Sequence, residues 1–440
     1  MNQAYDVVIV GAGFTGLAAG MALARAGKSV AILEADARPG GLASSFQFAD
    51  GVTIEKFYHH WFNSDGYLPK IIGQLGLEAQ VLTAPSKTGM YYNSRLWNLS
   101  NPRDLLRFTP LSLIDRIRLG LLVFQVRRVR DWKAIEHLSI EEWLKPLCGP
   151  KVFQVIWRPL LEHKFSVFAD MIGAVWMWKK LVLRGGTRDS KGGEQLAYFR
   201  GGFGRLAQAM ADDITRNGGV IRYGAKVTRA EVEDGVVTAL ACGEESIAAR
   251  QFLFTPAFPI IADWFAPSDW VRSLRRVNYL GNACLVLELD RGLSDTYWLN
   301  VNDPGFPFVG IIEHTNFDDP DNYQGNHIVF LSRYMARQDP VWSYDDERYL
   351  LFALEHIKRM FPAFERSWIK DYRLWRAEYA QPVVERAYSA YVPAHETPYP
   401  NAFIATMAQI YPEDRGTNYA IRDGLRAAAD MLRPDRMLSA

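Results

Sequence analysis

Cysteine is scarce in this 440-residue chain: Cys148, Cys242 and Cys284 stand far apart, an odd set without metal-ligand spacing. That excludes a disulfide scaffold and a cysteine-based metal centre, and no metal is expected; the three read as reduced thiols filling small core positions in a cytosolic protein. Long hydrophobic runs are missing as well. No stretch approaches the roughly 18 apolar residues needed to cross a bilayer, so no transmembrane helix is expected. Charge of one sign is not in excess, since 50 Lys and Arg face 49 Asp and Glu for a net charge of +1. Nothing global argues for a nucleic-acid partner. No basic segment with a cleavage site precedes the first apolar run, which begins within a few residues of Met1. The expected location is therefore cytoplasmic, with one segment, described below, leaving open a peripheral contact on the inner face of a membrane. Repeats and low-complexity tracts are absent too.

What is present is ordinary in bulk: 49% apolar and 22% charged residues, in a chain long enough for two or three domains. Aromatics make up 13%, with Trp prominent, which suits either a large aromatic core or an apolar pocket.

The organising stretch is at the start. Val7-Val8-Ile9-Val10 reads as a buried parallel strand, and Gly11-Ala12-Gly13-Phe14-Thr15-Gly16 follows it directly into an Ala- and Leu-rich helix. Gly11 suits a tight turn, Gly13 a close backbone approach to a pyrophosphate, and Gly16 close packing of helix on strand. The free N–H groups and dipole of the helix start attract phosphates. Gly27 closes the helix, Ser29 to Leu33 forms a second strand, and Glu34 ends it where a ribose-binding acid is expected.

Glu34-Ala35-Asp36-Ala37-Arg38-Pro39-Gly40-Gly41 then resembles the Glu-x5-Gly-Gly extension of flavoproteins related to amine oxidases, protoporphyrinogen oxidases and phytoene desaturases. The resemblance implies FAD as cofactor, with Gly11, Gly13, Phe14, Thr15, Gly16, Glu34, Ala35, Arg38, Gly40, Gly41 and Leu42 along its ribose and pyrophosphate. Tyr198 to Leu206 and the strand after it are similar to a later family segment, which implies adenine contact at Val227. Phe252-Leu253-Phe254-Thr255-Pro256 is similar to a family strand whose end, here Thr255 and Pro256, lies over the cofactor. Near the C-terminus, a strand from Ala402 and a loop through Arg415, Gly416, Thr417 and Asn418 resemble the motif that brings a helix start to the flavin's pyrimidine edge. Many relatives carry Gly-Asp where this chain has Asn418-Tyr419.

Candidates near the flavin ring are fewer. His59-His60, before an aromatic and a Ser-Asp pair, resembles a segment of UDP-galactopyranose mutases; a histidine satisfied by backbone partners is the alternative. Glu313 and His314 close an apolar strand, and one of them is expected in a cavity unless both are solvated residues at a strand end. His59, His60 and His314 are the proposed acid–base residues, since histidine titrates near neutrality. Trp157 to Phe165 resembles a substrate-domain segment of the same family. Lys179, Lys180, Arg184 and Arg188 further on suit a substrate phosphate or carboxylate, or else a solvated basic face. The run from Arg116 to Arg130 is apolar in the middle and flanked by arginines. It suits a buried helix with solvated ends or an anionic membrane surface.

The expected fold is α/β: a glutathione-reductase-type FAD domain from residues 1–68, 197–262 and 395–440, interleaved with an α+β substrate domain from 69–196 and 263–394. The expected activity is an FAD-dependent oxidoreductase taking a hydride from a small or lipid-like, partly apolar substrate onto flavin N5, with the electron acceptor unknown. A non-redox sugar-nucleotide mutase and a non-catalytic FAD-bound scaffold are the alternatives. Substrate identity and oligomeric state are not legible in the sequence.

Overall fold

Val7 to Val10 is apolar at every position because both faces of its strand are covered. In the computed structural model, which describes residues 5–186 and 195–433, Val7 and Ile9 join one core cluster and Val8 and Val10 another. The strand Tyr5–Val10 lies between Val30–Leu33 and Glu245–Phe254, parallel to both, in a seven-stranded sheet. Val220–Arg222 extends the parallel part beyond Val30–Leu33, and Ala402–Ile404 pairs in parallel with the end of Glu245–Phe254. The first half of Glu245–Phe254 instead forms an antiparallel meander with Val236–Cys242 and Val227–Glu233. One long strand thus belongs to two layers.

Helices Phe14–Arg25, Phe203–Arg216 and Thr417–Met431 pack together on the Val7/Ile9 face. They sit close: a Cβ at Gly424 would lie 2.2 Å from the Thr15 carbonyl oxygen. Three stretches remote in sequence therefore meet at the carboxyl ends of the parallel strands, where open α/β sheets place ligands.

A second seven-stranded sheet runs in the order Ile369–Pro382, Tyr279–Leu289, His327–Met335, Gly310–Glu313, Trp298–Val301, Thr88–Tyr92 and Arg95–Asn98. Its Thr88–Asn98 hairpin turns at Asn93 and Ser94, both with positive φ, as a two-residue hairpin turn requires. Along Tyr279–Leu289, Ala283, Leu285 and Leu287 face the helix Asp346–Met360, while Cys284 and Val286 face the first sheet's helical layer. The period-two alternation joins the halves of the molecule through one strand. Helices between residues 102 and 186 complete the second half.

Candidate active site

The glycine-rich turn has the geometry its spacing implies. A Cβ at Gly16 would lie 2.0 Å from the Gly11 carbonyl oxygen, so only glycine lets the helix approach the strand. Gly13 is the N-cap of Phe14–Arg25, offers no capping side chain, and has nothing within 4 Å of the Cβ position. The first N–H groups of this helix therefore face open space, an arrangement suited to a diphosphate. Gly40 adopts φ +117° and its N–H bonds the Ala12 carbonyl at 2.8 Å, which lays the Gly40–Gly41 loop beside Gly13. Just beyond, the Ser44 hydroxyl is buried with no hydrogen-bond partner among the described residues. A donor left idle at the edge of an uncapped helix start fits a bound anion.

Glu34 is buried. Its carboxylate accepts from the Ala12 N–H at 2.6 Å and the Asp36 N–H at 2.8 Å, and burial raises its pKa above the ordinary value against those two bonds. Its remaining lone pairs suit ribose hydroxyls. The chain at 224–225 bonds back to Asp36 and Glu34, which brings Val227 alongside. Thr255 bonds the Val10 carbonyl from both its N–H and its hydroxyl, placing Thr255 and Pro256 against Gly11. Phe14 is buried edge-on to Phe203, with ring centroids 6.0 Å apart. Ala35 and Arg38 lie exposed at the rim, Leu42 is half-buried, and Gly416 is exposed at the start of Thr417–Met431. Asn418 is engaged elsewhere: its side-chain oxygen accepts from the N–H groups of Tyr67 and Leu68, capping a helix that supplies no cap of its own.

A second group gathers around Arg415. Its guanidinium donates to Gln381 at 2.8 Å and to the Tyr334 hydroxyl at 2.8 Å. The neighbouring Asp414 accepts from Trp176 Nε1 at 2.9 Å and pairs with Lys180 at 2.8 Å. Burial works against the Asp414 charge, but Lys180, Lys164 and Arg415 outweigh it and hold the carboxyl well below the usual range. Among the described residues Lys164 has no carboxylate in contact. Its ammonium sits over the rings of Tyr334 at 4.6 Å, Trp176 at 5.8 Å and Phe165 at 5.9 Å. Burial pushes its pKa down to about 8; Asp414 opposes this and Arg415 adds to it. Glu413 is tied to Lys179 and Arg422. Lys179 and Lys180 are thus ion-paired inside the site and are not a solvated face. Thr187 and Arg188 lie outside the described residues.

Tyr58 closes this group, with Tyr334 and Arg415 as neighbours and burial raising its phenol well above the ordinary value. Trp298 stands edge-on to it at 5.1 Å. His59 Nδ1 bonds the Phe57 carbonyl at 2.7 Å, and the ring leans on Phe203. Because a carbonyl only accepts, Nδ1 carries the proton and Nε2 keeps its lone pair. Burial lowers the His59 pKa to about 4. His60 turns the other way, to the Tyr297 hydroxyl at 2.9 Å.

His314 is apart from both. The strand ends at Glu313, so the two side chains do not alternate as strand neighbours, and neither is solvated: both are buried. His314 bonds the Tyr323 hydroxyl at 2.6 Å, which in turn donates to Asp318; its ring packs on Tyr198, which donates to Glu55. Glu313 accepts from the N–H groups of Leu293 and Ser294.

Sequence reasoning did not find Tyr58, Tyr334 or Gln381. Each lies in a loop or strand of unremarkable composition, and only the fold brings them to Arg415. Lys164 belongs to the segment singled out above, without a signal marking it among its neighbours. Tyr334 also borders an open cavity of about 370 Å³ lined by His163, Arg333, Phe352 and His356, which leads in from the surface.

The family model described as flavin containing amine oxidoreductase matches residues 14–432. The 15-cis-phytoene desaturase of Glycine max is 22% identical over 320 residues, covering 66% of this chain and 55% of that protein. The chain thus spans about half the length of such relatives. Among solved structures, a protein assigned as a protoporphyrinogen oxidase from Exiguobacterium sp. 255-15 superposes with TM-score 0.76 at 16% identity, covering 98% of this chain and 99% of that one. Reduced UDP-galactopyranose mutase superposes with TM-score 0.72 at 14% identity, over 100% and 98% of the two chains. At such identities these likenesses speak for the fold alone.

Proposed function

The chain belongs to the flavin-containing amine oxidoreductase family, and from that premise we propose an FAD-dependent oxidoreductase whose organic, partly apolar substrate carries an anionic group. Its cofactor is FAD, which the cradle fits: the uncapped helix start at Gly13 and the idle Ser44 hydroxyl for the diphosphate, Glu34 for the adenosine ribose. When bound, FAD supplies a two-electron acceptor for a hydride leaving the substrate, and a separate electron acceptor restores it.

The protein's part is positioning and electrostatics. Arg415, fixed by Gln381 and Tyr334, offers a permanently charged, oriented guanidinium. Lys164 stands beside it with a pKa of about 8, so its Nζ holds a proton at neutral pH and releases it just above. The observation that carries the reading is this pair: two cations among aromatic rings, where among the described residues the nearby carboxylate, Asp414, is already shared with Lys180 and Trp176. Excess positive charge out of water calls for an anion. Tyr58, Trp298 and Trp176 exclude water from the same space. His59 presents a neutral Nε2 at pH 7 as a hydrogen-bond acceptor.

The rival reading is a non-redox mutase, because a cationic pair also suits a nucleoside diphosphate. The test is anaerobic addition of long-chain carboxylates and phosphates bearing oxidisable C–C or C–N bonds to the oxidised holoenzyme. An oxidoreductase substrate bleaches the visible flavin band in one turnover. Conversion of UDP-galactopyranose by dithionite-reduced enzyme, with the flavin reduced throughout, would replace this assignment with the mutase.

A further inference from the structure

The helix Leu113–Val126 buries only Leu122 and Val126. Leu119 and Val123 are half-buried, and its remaining large apolar side chains, Leu113, Ile114, Ile117, Leu121 and Phe124, are between 49% and 64% exposed. At 3.6 residues per turn these five fall within an arc of about 100°, opposite Leu122 and Val126. Leu106, on the preceding helix Pro102–Arg107, is 56% exposed and bonded to this surface through the Arg116 guanidinium, which donates to its carbonyl. Exposed leucines scattered singly need no explanation; six exposed apolar residues within one segment of 19 do.

The surroundings of the stripe are basic. Residues 101–130 carry seven arginines, at 103, 107, 116, 118, 127, 128 and 130, against two acids. Both acids are occupied locally: Asp104 closes a capping box with Asn101, and Asp115 accepts from Ser112 and pairs with Arg118. Arg116 and Arg118 flank the stripe on its two sides, and Arg127 to Arg130 lie at its end.

We propose that this face docks on an anionic lipid surface, with Leu106, Leu113, Ile114, Ile117, Leu121 and Phe124 sunk into the interface and the arginines at headgroup level. The charge pattern selects this occupant. A second copy of the chain on the same face would set arginines against arginines, whereas an anionic bilayer offers apolar depth and opposite charge together. The helix lies in the plane of the surface; among the described residues no helix is long and apolar enough to cross a membrane. Docking also places the lipid next to the substrate half of the molecule. The Val126 carbonyl accepts from Trp178 Nε1, on the helix Ala174–Gly186 that carries Trp176 and Lys180. The proposal does not depend on the substrate being a lipid.

The test uses holoprotein and sedimentation with vesicles of phosphatidylcholine alone or with a quarter phosphatidylglycerol. Two variants are compared: Ile114→Ser/Ile117→Ser/Phe124→Ser, and Arg127→Gln/Arg128→Gln/Arg130→Gln. All six positions are partly or fully solvent-facing, and retained flavin absorbance and melting temperature check the fold. The wild type should pellet with the anionic vesicles at low salt. Each variant should lose at least tenfold in partitioning, and 1 M salt should weaken binding because the Debye length falls to about 3 Å. Failure of the wild type to bind anionic vesicles overturns the proposal. So does equal binding to neutral vesicles, or full binding by the apolar variant, which would reduce the effect to non-specific charge. A concentration-dependent dimer that the apolar variant dissolves would assign the face to a second copy instead.

Discussion

Replacing Lys164 with Met should separate its cost to the fold from its use at the site. The perturbation keeps most of the stem volume and removes the charge. Lys164 goes from an ordinary 10.5 to about 8, chiefly through burial. At about 1.4 kcal/mol per unit, housing the ammonium costs roughly 3 kcal/mol. Contact with the rings of Tyr334, Trp176 and Phe165 returns about 1–2 kcal/mol. The variant should therefore be more stable than wild type by roughly 1–2 kcal/mol at pH 7. Asp414 keeps Lys180 and Trp176, so no buried carboxylate is left alone. Below pH 8 both folded and unfolded chains hold the proton and the cost is complete. Between pH 8 and about 10.4 the unfolded chain binds more protons, so wild-type stability rises with pH and the gap to the variant closes. The site should lose what the fold gains. A charged hydrogen bond is worth about 1.5–3 kcal/mol, so affinity for an anionic probe should fall ten- to a hundredfold. Urea unfolding followed by Trp fluorescence at pH 7 and pH 10 measures the first effect. Flavin absorbance changes on titrating dodecyl phosphate measure the second. In wild type that affinity should decline above pH 8, and in the variant it should be flat. A variant less stable at pH 7 and unchanged toward the probe would refute the reasoning.

Glu34→Ala should cost on the order of 1–3 kcal/mol of FAD affinity, measured by calorimetry on the apoprotein; an unchanged Kd would mean that the ribose is held elsewhere. His59→Ala should slow substrate bleaching of the flavin more than it weakens FAD binding, because its ring lies on Phe203 next to Tyr58 and Arg415 acts on its charge. An equal loss in both would make it a packing residue. Burial pushes both Glu55 and Glu313 up to about 7. Their folded forms bind more protons than the unfolded chain between about pH 4.5 and 7, so stability conferred at low pH is lost as pH rises through 7. Glu55→Gln should flatten that slope in urea titrations, and an unaltered slope would mean that the carboxyl titrates normally.

The cradle was legible because its determinants are local. Gly16 must be glycine since the Gly11 carbonyl lies 2.0 Å from its Cβ position, and Gly40 must turn at φ +117°. Contacts between near neighbours in sequence leave a spacing that can be read.

The group around Arg415 was not, because its members are joined only in space. Arg415 stood out in its loop, yet its partners are Gln381 and Tyr334 on two strands far from it in sequence. His314 had the composition of an acid–base residue, and the fold encloses it with Tyr323, Asp318 and Glu55 behind Tyr198. The arginine-flanked helix was ambiguous between core and surface. Its exposed arc follows from which side the neighbouring helices cover, and no residue of the helix encodes that. Sequence by itself determined the strand–turn–helix, the acid that ends the second strand and the family, all set by backbone sterics within a few dozen residues. Tertiary structure alone decided which charges lose their water. Burial is a property of the whole packed molecule, and it is burial that makes Lys164 and Arg415 a site.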